Sequence, residues 1–120
     1  MSDPKNKPFR RRAGQIRPLA VGHGGCFASK LITCEGHKVG YMYREERDFS
    51  EDSGWRFLAG CESDEFMDNP KNHGVYDVNT IANYDPDIIP FLDAPVGTAF
   101  ERANGTGPLV EIEDFQLPND

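Results

Sequence analysis

Two pairs of metal-binding residue types lie close together in the first third of the sequence. His23 and Cys26 are separated by two residues, and so are Cys34 and His37. Imidazole and thiolate groups at this spacing are typical of tetrahedral zinc sites. However, residues 26–33 and 37–43 are predicted to form a hairpin, with Cys26 at its open end and Cys34 near its turn. Eight extended residues span roughly 26 Å, which is too far for one metal ion. We therefore predict no metal site and no cofactor.

Nucleophilic catalysis has little support in the sequence. The chain contains no G-x-S-x-G elbow, no phosphate-binding loop and no dinucleotide fingerprint. A thiol–imidazole pair of Cys61 and His73 is conceivable, but a nucleophile needs its base nearby in space, and spacing along the chain does not establish that. The prediction is a protein that is not an enzyme. The alternative is an enzyme with a cleft near Arg56, Tyr84 and Asp85.

Carboxylates give the strongest chemical signal in the sequence. Their spacing does not match a calcium-binding loop, which requires alternating Asp residues, a Gly and a distant Glu. They form either a solvated surface with helix caps or a surface complementary to a basic protein, which favours fast and specific association. The clusters are Glu45–Glu46–Asp48, Glu51–Asp52, Glu62–Asp64–Glu65–Asp68 and Asp85–Asp87.

Charge is distributed unevenly between the first twenty residues and the rest. Residues 1–20 carry six Lys and Arg against one Asp, whereas residues 21–120 carry seven against nineteen Asp and Glu. The acidic body disfavours nucleic acid and anionic membranes as partners. Arg10–Arg12 is the one stretch that could contact nucleic acid weakly, although a solvated terminus is the favoured explanation. With no signal-like or membrane-spanning apolar segment, we expect a cytoplasmic protein.

The pattern of apolar residues predicts a single small domain. Residues 1–21 are expected to be a flexible basic leader, 22–115 the folded domain, and 116–120 an acidic tail. Trp55 and Phe57 share one face of a predicted strand, and Asp85–Pro86 has the cap and first-position residues of a helix. We predict an α+β fold, a small antiparallel sheet of about five strands with short helices packed on one side. The predicted strands are 26–33, 37–43, 55–60, 98–102 and 109–112, and the helical turns are 62–68, 79–84 and a segment from Asp85.

Several long segments together resemble the bacterial immunity protein 33-like family, also called domain of unknown function 2185. The resemblance covers residues 24–113. It is carried by GGC (Gly24–Cys26), VGYMYREE (Val39–Glu46), DSGWRFLAG (Asp52–Gly60) and the run from Asn69 to Arg102. The matching motif residues are Tyr41, Tyr43, Arg44, Glu45, Ser53, Trp55, Arg56, Asn79, Asn83, Tyr84, Asp85 and Pro86.

The resemblance implies a small α+β domain that binds and neutralises a cognate toxin, with no catalytic residues to carry over. An acidic protein suits a basic toxin electrostatically. The alternative is a housekeeping or regulatory interaction domain without a toxin partner, and the sequence leaves the oligomeric state open. The residues predicted to bind the partner are Arg44, Glu45, Glu46, Asp48, Asp52, Trp55, Arg56, Asn83, Tyr84 and Asp85.

Overall fold

Strands and short helices alternate along residues 15–117, the part of the chain that the computed structural model describes. The strands are β1 (Gly25–Ser29), β2 (Tyr41–Arg44), β3 (Asp52–Leu58), β4 (His73–Asp77), β5 (Ala99–Arg102) and β6 (Leu109–Glu111). The α-helices are α1 (Lys30–Thr33), α2 (Asp64–Asp68) and α3 (Val78–Tyr84), and 3₁₀ helices lie at Pro70–Asn72, Pro86–Phe91 and Ala103–Gly105.

The six strands form one sheet in the order β4-β1-β3-β2-β5-β6. β1 and β3 run parallel, and the other neighbouring pairs are antiparallel. The predicted α+β class with a mostly antiparallel sheet is confirmed, with six strands in place of about five. The sixth strand is β4, for which the sequence indicates only a brief extended segment.

The predicted hairpin of residues 26–33 and 37–43 is wrong. β1 ends at Ser29, whose side chain accepts a hydrogen bond from the N–H of Leu31 and so caps α1. The chain then leaves the sheet, and β3 lies between β1 and β2. The β-tolerant residues Ile32 and Thr33 are buried on a helix instead, because tertiary packing outweighs their weak intrinsic preference.

Short polar side chains cap the later helices, and the cap at Asp85 is the one that the sequence predicts. Asp77 caps α3 and Ser63 caps α2, each by accepting an N–H from the first turn. Asp85 caps the next segment, and Pro86 occupies its first turn. This segment is a 3₁₀ helix rather than an α-helix, and it has Pro90, which lacks an N–H donor, in its interior.

The two faces of the sheet differ in what covers them. α1, α3 and the 3₁₀ helix that begins at Pro86 pack on the face that presents Met42, Trp55 and Phe57, all fully buried. Trp55, predicted from the sequence to bind the partner, lies in the core, and its indole N–H donates to the carbonyl of Leu92 at 3.1 Å. Because side chains alternate along strands, the opposite side, called the open face below, carries the residues between them. In the register of the strands these are Phe27, Arg56 and Tyr43 in one row, and Leu58, Tyr41 and Glu101 in the next.

Part of the predicted leader is anchored on α3. The backbone N–H of Arg17 donates to the Asn83 side chain, and those of Leu19 and Ala20 donate to the Asn79 side chain, each at 2.8 Å. Residues 1–14 and 118–120, and with them the prediction for Arg10–Arg12, lie outside the described residues.

Candidate functional site

Residues 45–51, called the acidic loop below, connect β2 to β3. The loop contains four carboxylates and one arginine. Glu46, Asp48 and Glu51 are exposed, and the Phe49 side chain is 38% exposed. Phe49 also meets Phe27 of the open face edge-on, with ring centroids 6.3 Å apart. The loop therefore presents negative charge around one partly exposed aromatic ring.

Beneath the loop lies a buried ion-pair network of Glu45, Asp52 and Arg56, called the Arg56 cluster below. Both terminal nitrogens of Arg56 donate to the Asp52 carboxylate, at 2.9 and 2.8 Å, and its Nε donates to Glu45. Such paired donation fixes orientation as well as adding energy. The Arg56 guanidinium also lies 4.4 Å from the centroid of the Phe27 ring. Asp52 and Arg56 are each only 5% exposed, so this network fastens the end of the loop.

Asp52 is ionised and tightly held in this network. Burial alone would raise its pKa, but hydrogen bonds from Arg56 and from the backbone N–H groups of Asp48 and Gly54 outweigh burial and lower the pKa to about 2. The pKa of Arg56 is raised, because its bonds to Asp52 and Glu45 outweigh the opposing effect of burial. Both charges therefore persist across the physiological pH range.

Close backbone approach fixes the two ends of the acidic loop. Gly54 has a φ of +90°, and a Cβ there would lie 2.2 Å from the carbonyl oxygen of Glu45. Gly24 has a φ of +97°, and a Cβ there would lie 2.4 Å from the carbonyl oxygen of Glu51. Glycine is the residue that adopts such angles without strain and leaves this space free. At both ends of the loop, the backbone approaches so closely that positions 24 and 54 cannot carry a side chain.

A groove crosses the open face beside the Arg56 cluster. Its larger part is a cavity of about 530 Å³ whose lining includes Tyr41, Glu62 and Glu101. The smaller part, about 260 Å³, is lined by Arg56 cluster residues and neighbours that include His73. Leu58 and Met67 line both parts. Within residues 15–117, the buried His73 Nε2 has no hydrogen-bond partner.

A second buried network surrounds Arg102 and is called the Arg102 cluster below, with Asp85 and Asp87 as its other members. Arg102 donates to Asp85 at 2.6 Å and to Asp87 at 3.0 Å. It also donates to the carbonyls of Val39 and Gly107, at 3.0 and 3.1 Å. Asp85 is fully buried and accepts the backbone N–H of Val39 at 2.9 Å. This network joins segments that are distant in the sequence.

The structure brings seven of the ten predicted binding residues together. They surround the acidic loop and are Arg44, Glu45, Glu46, Asp48, Asp52, Trp55 and Arg56. Arg44 holds the base of the loop by donating to the carbonyls of Ser53 and Ala94, at 2.8 and 2.7 Å. The other three predicted residues, Asn83, Tyr84 and Asp85, lie at the opposite end of β2. Asp85 contacts Val39, and Val39 is six residues before Glu45. Six residues of extended chain span roughly 20 Å, so the two groups of predicted residues are about that far apart.

The predicted binding residues also differ in how exposed their side chains are. Asp52, Trp55, Arg56, Asn83 and Asp85 are buried, and their contacts are internal to the domain. Arg44, Glu45 and Tyr84 are half-buried, and Glu46 and Asp48 are exposed. The exposed members of the set therefore lie on the acidic loop.

Sequence reasoning missed the groove residues Tyr41, Leu58, Met67 and Glu101. Alternation in β2 does indicate that Tyr41 and Tyr43 share a face, which was the available signal. Met67 comes from α2, and its position over the open face depends on a tertiary contact that no local pattern encodes.

Cysteine and histidine side chains form no metal-binding group among the described residues, although one thiol–imidazole contact is present. No group of three or more His, Cys, Asp or Glu side chains that could hold a metal ion occurs in residues 15–117. Cys61 Sγ lies 3.9 Å from His37 Nδ1 at the surface. Burial raises the pKa of the Cys26 thiol, and the nearby Asp77 carboxylate adds to this, so Cys26 stays protonated.

The fold defines an α+β protein with one open six-stranded sheet, and the site is a charged loop beside a groove. A family model described as Immunity protein Imm33 domain matches residues 26–113, so the chain belongs to this immunity protein family. The resemblance read from the sequence motifs is thereby confirmed. No curated protein and no solved structure matches the chain. None of the helices between residues 15 and 117 has the length and hydropathy needed to cross a membrane.

Proposed function

We propose that this protein is a non-catalytic immunity protein that neutralises a cognate toxin in the cytoplasm by stoichiometric binding. Membership of the immunity protein family supplies the function class. The observation that carries the proposal is the acidic loop, which presents exposed carboxylates on a base fixed by the Arg56 cluster. A loop held in one conformation loses little entropy on binding, which raises affinity.

The toxin in this proposal presents a basic surface to the loop. Glu46, Asp48 and Glu51 are the exposed carboxylates that face it, and Phe49 supplies an aromatic contact at their centre. Opposite charges increase the association rate and disfavour wrong partners. Asp52 and Arg56 contribute by holding the loop through the Arg56 cluster, whereas Trp55 is buried in the core on the other face of the sheet. Neutralisation follows from occlusion of the toxin and needs no chemical step.

Charge reversal on the loop tests the proposal. The triple variant Glu46→Lys, Asp48→Lys, Glu51→Lys should bind the toxin encoded beside its gene at least about tenfold more weakly and protect cells poorly. Glu45 is left unchanged because it pairs with Arg56. The measurements are the Kd by calorimetry, at low and high salt, and the survival of cells that express the toxin.

A matched control carries the same change in charge elsewhere. The triple variant Glu111→Lys, Glu113→Lys, Asp114→Lys alters three exposed carboxylates at β6 and the following turn. It should bind and protect nearly as well as the unaltered protein. Equal binding by both triple variants would remove the acidic loop from the interface. The absence of a one-to-one complex with a toxic protein would contradict the proposed function itself.

A further inference from the structure

We propose that the larger part of the groove on the open face binds a lysine or arginine side chain of the partner protein. This inference rests on the proposed function, and it adds a second, specific contact to the general attraction of the acidic loop. Its basis is the juxtaposition of an aromatic ring with carboxylates that form no ion pair within the described part of the chain.

The floor of the groove is a row of three cross-strand neighbours. Leu58 of β3 lies opposite Tyr41 of β2, and Tyr41 lies opposite Glu101 of β5. Directly opposed residues in antiparallel strands have Cβ atoms about 4.5–5.5 Å apart. An alkyl stem can therefore lie on Leu58 and Tyr41 while its cationic end reaches Glu101. The Tyr41 ring also attracts a cation placed over its face.

Negative charge predominates among the side chains that line this part of the groove. Glu62 and Glu101 form no ion pair with any residue between 15 and 117. Arg102 also lines the cavity, but its guanidinium is occupied by Asp85, Asp87 and two backbone carbonyls. The groove therefore offers negative charge without a free cation. A phosphate or a carboxylate would be repelled here, whereas a basic side chain is matched.

Glu62 is held in place as well as ionised. Its two carboxylate oxygens accept the backbone N–H groups of Ala59 and Gly60, at 2.7 and 2.9 Å. Burial alone would raise its pKa, but the hydrogen bonds that it accepts outweigh burial and lower the pKa. A fixed carboxylate at the wall of a cavity is a preorganised acceptor for a charged donor.

The rest of the open face is partly covered by the chain itself. Phe49 packs against Phe27, and Phe115 packs against Tyr43 with ring centroids 5.7 Å apart. These two contacts cover part of the row that contains Arg56, which keeps only the smaller part of the groove. The row of Tyr41 and its neighbours forms the floor of the larger part, and α2, which carries Met67, forms one wall. The exposed flank of α2 adds further negative charge through Asp64, Glu65 and Asp68.

An uncharged apolar occupant fits the groove less well. Burying Glu101 beneath an apolar side chain would desolvate its charge without compensation, which is costly. A cation compensates that cost, so charge complementarity selects among partners of similar shape.

The experiment uses N-acetyl-arginine amide as a probe and N-acetyl-citrulline amide as its neutral isostere. Both are titrated into the full chain and followed by the backbone amide signals in NMR. The arginine probe should shift Tyr41, Leu58, Gly60 and Glu101 with a millimolar Kd, and the citrulline probe should not. Glu101→Gln should weaken binding of the arginine probe severalfold, whereas Glu111→Gln, an exposed control on β6, should not change it.

Shifts confined to the acidic loop, shifts of equal size with citrulline, or no shifts at all would overturn the groove assignment. None of these outcomes bears on the proposed function, which is decided by the complex with the toxin. Within that complex, Glu101→Gln should lower affinity severalfold. Unchanged affinity together with full protection would reject the groove while leaving the immunity function intact.

Discussion

The two arginine clusters have similar chemistry but connect the chain over very different distances. In each cluster a buried aspartate accepts two backbone N–H groups and pairs with an arginine, which also contacts a more exposed carboxylate. The Arg56 cluster spans twelve residues, 45–56. The Arg102 cluster joins Val39, Asp85, Asp87 and Gly107.

This difference in span indicates different roles. A network confined to one loop and its strand can break by local opening, while the rest of the domain stays folded. A network that joins segments distant in the sequence breaks only when the whole domain unfolds. The Arg56 cluster therefore sets the shape of the acidic loop, and the Arg102 cluster holds β5 and the segment at Val39, just before β2, to the 3₁₀ helix that begins at Pro86.

The largest expected effect is the loss of Arg102. Arg102→Met leaves the fully buried Asp85 without its cationic partner, and we expect a loss of about 3–5 kcal/mol in the free energy of unfolding. Urea denaturation measures this. The control Lys38→Met removes the ion pair between Lys38 and Asp87, whose side chains are 68% and 54% exposed, and should cost less than about 1 kcal/mol. Comparable losses of stability in both variants would contradict the view that the buried ion pair holds the fold together and the exposed one does not.

Loss of Arg56 should have a smaller global effect and a larger local one. In Arg56→Met the loop can open and let water reach Asp52, so we expect a global loss of about 1–3 kcal/mol. Amide hydrogen exchange should accelerate at residues 45–54 and change little in α3. The toxin should also bind more weakly, because the loop must become ordered on binding. Uniformly faster exchange across the whole domain would show that the Arg56 cluster is as global as the Arg102 cluster.

The smallest effect is the pH dependence that Asp52 contributes. Its pKa is about 2 in the folded protein and about 3.8 ordinarily, which corresponds to about 2 kcal/mol of stabilisation. Because the folded-state value is the lower one, this stabilisation is fully present above about pH 4 and is lost as the pH falls towards 2. Asp52→Asn should flatten the stability profile in that window, whereas Asp114→Asn, an exposed control, should leave it unchanged.

Local patterns were sufficient to predict most elements of the fold. Helix caps depend on neighbouring residues, so the cap at Asp85 lies where the sequence indicates. The core position of Trp55 and its strand follow from alternation. Such features can be predicted without knowing which other segments pack against the helix or strand.

Strand order and the clusters were not predictable in the same way. The parallel pairing of β1 with β3 joins residues about 27 positions apart, and nothing local distinguishes it from a β1–β2 hairpin. The register of β1 against β3 also shifts between Gly25 and Phe27, an irregularity that no local pattern indicates. Carboxylates that the sequence shows only as negative charge prove to be of two kinds, buried anchors and exposed loop residues.

The position of the acidic loop has a consequence for the order of folding. The loop closes β2 and β3, whose pairing is among the most local in the sheet, whereas β2–β5 pairing joins Tyr41 to Glu101. Contacts of short sequence separation cost little chain entropy and form early. We expect the β2–β3 hairpin to belong to the folding nucleus, and β1 and β4, whose pairings join residues more distant in the sequence, to join later. Refolding kinetics of Gly54→Ala should then show a slower folding rate, since the strain at that turn is present in the transition state.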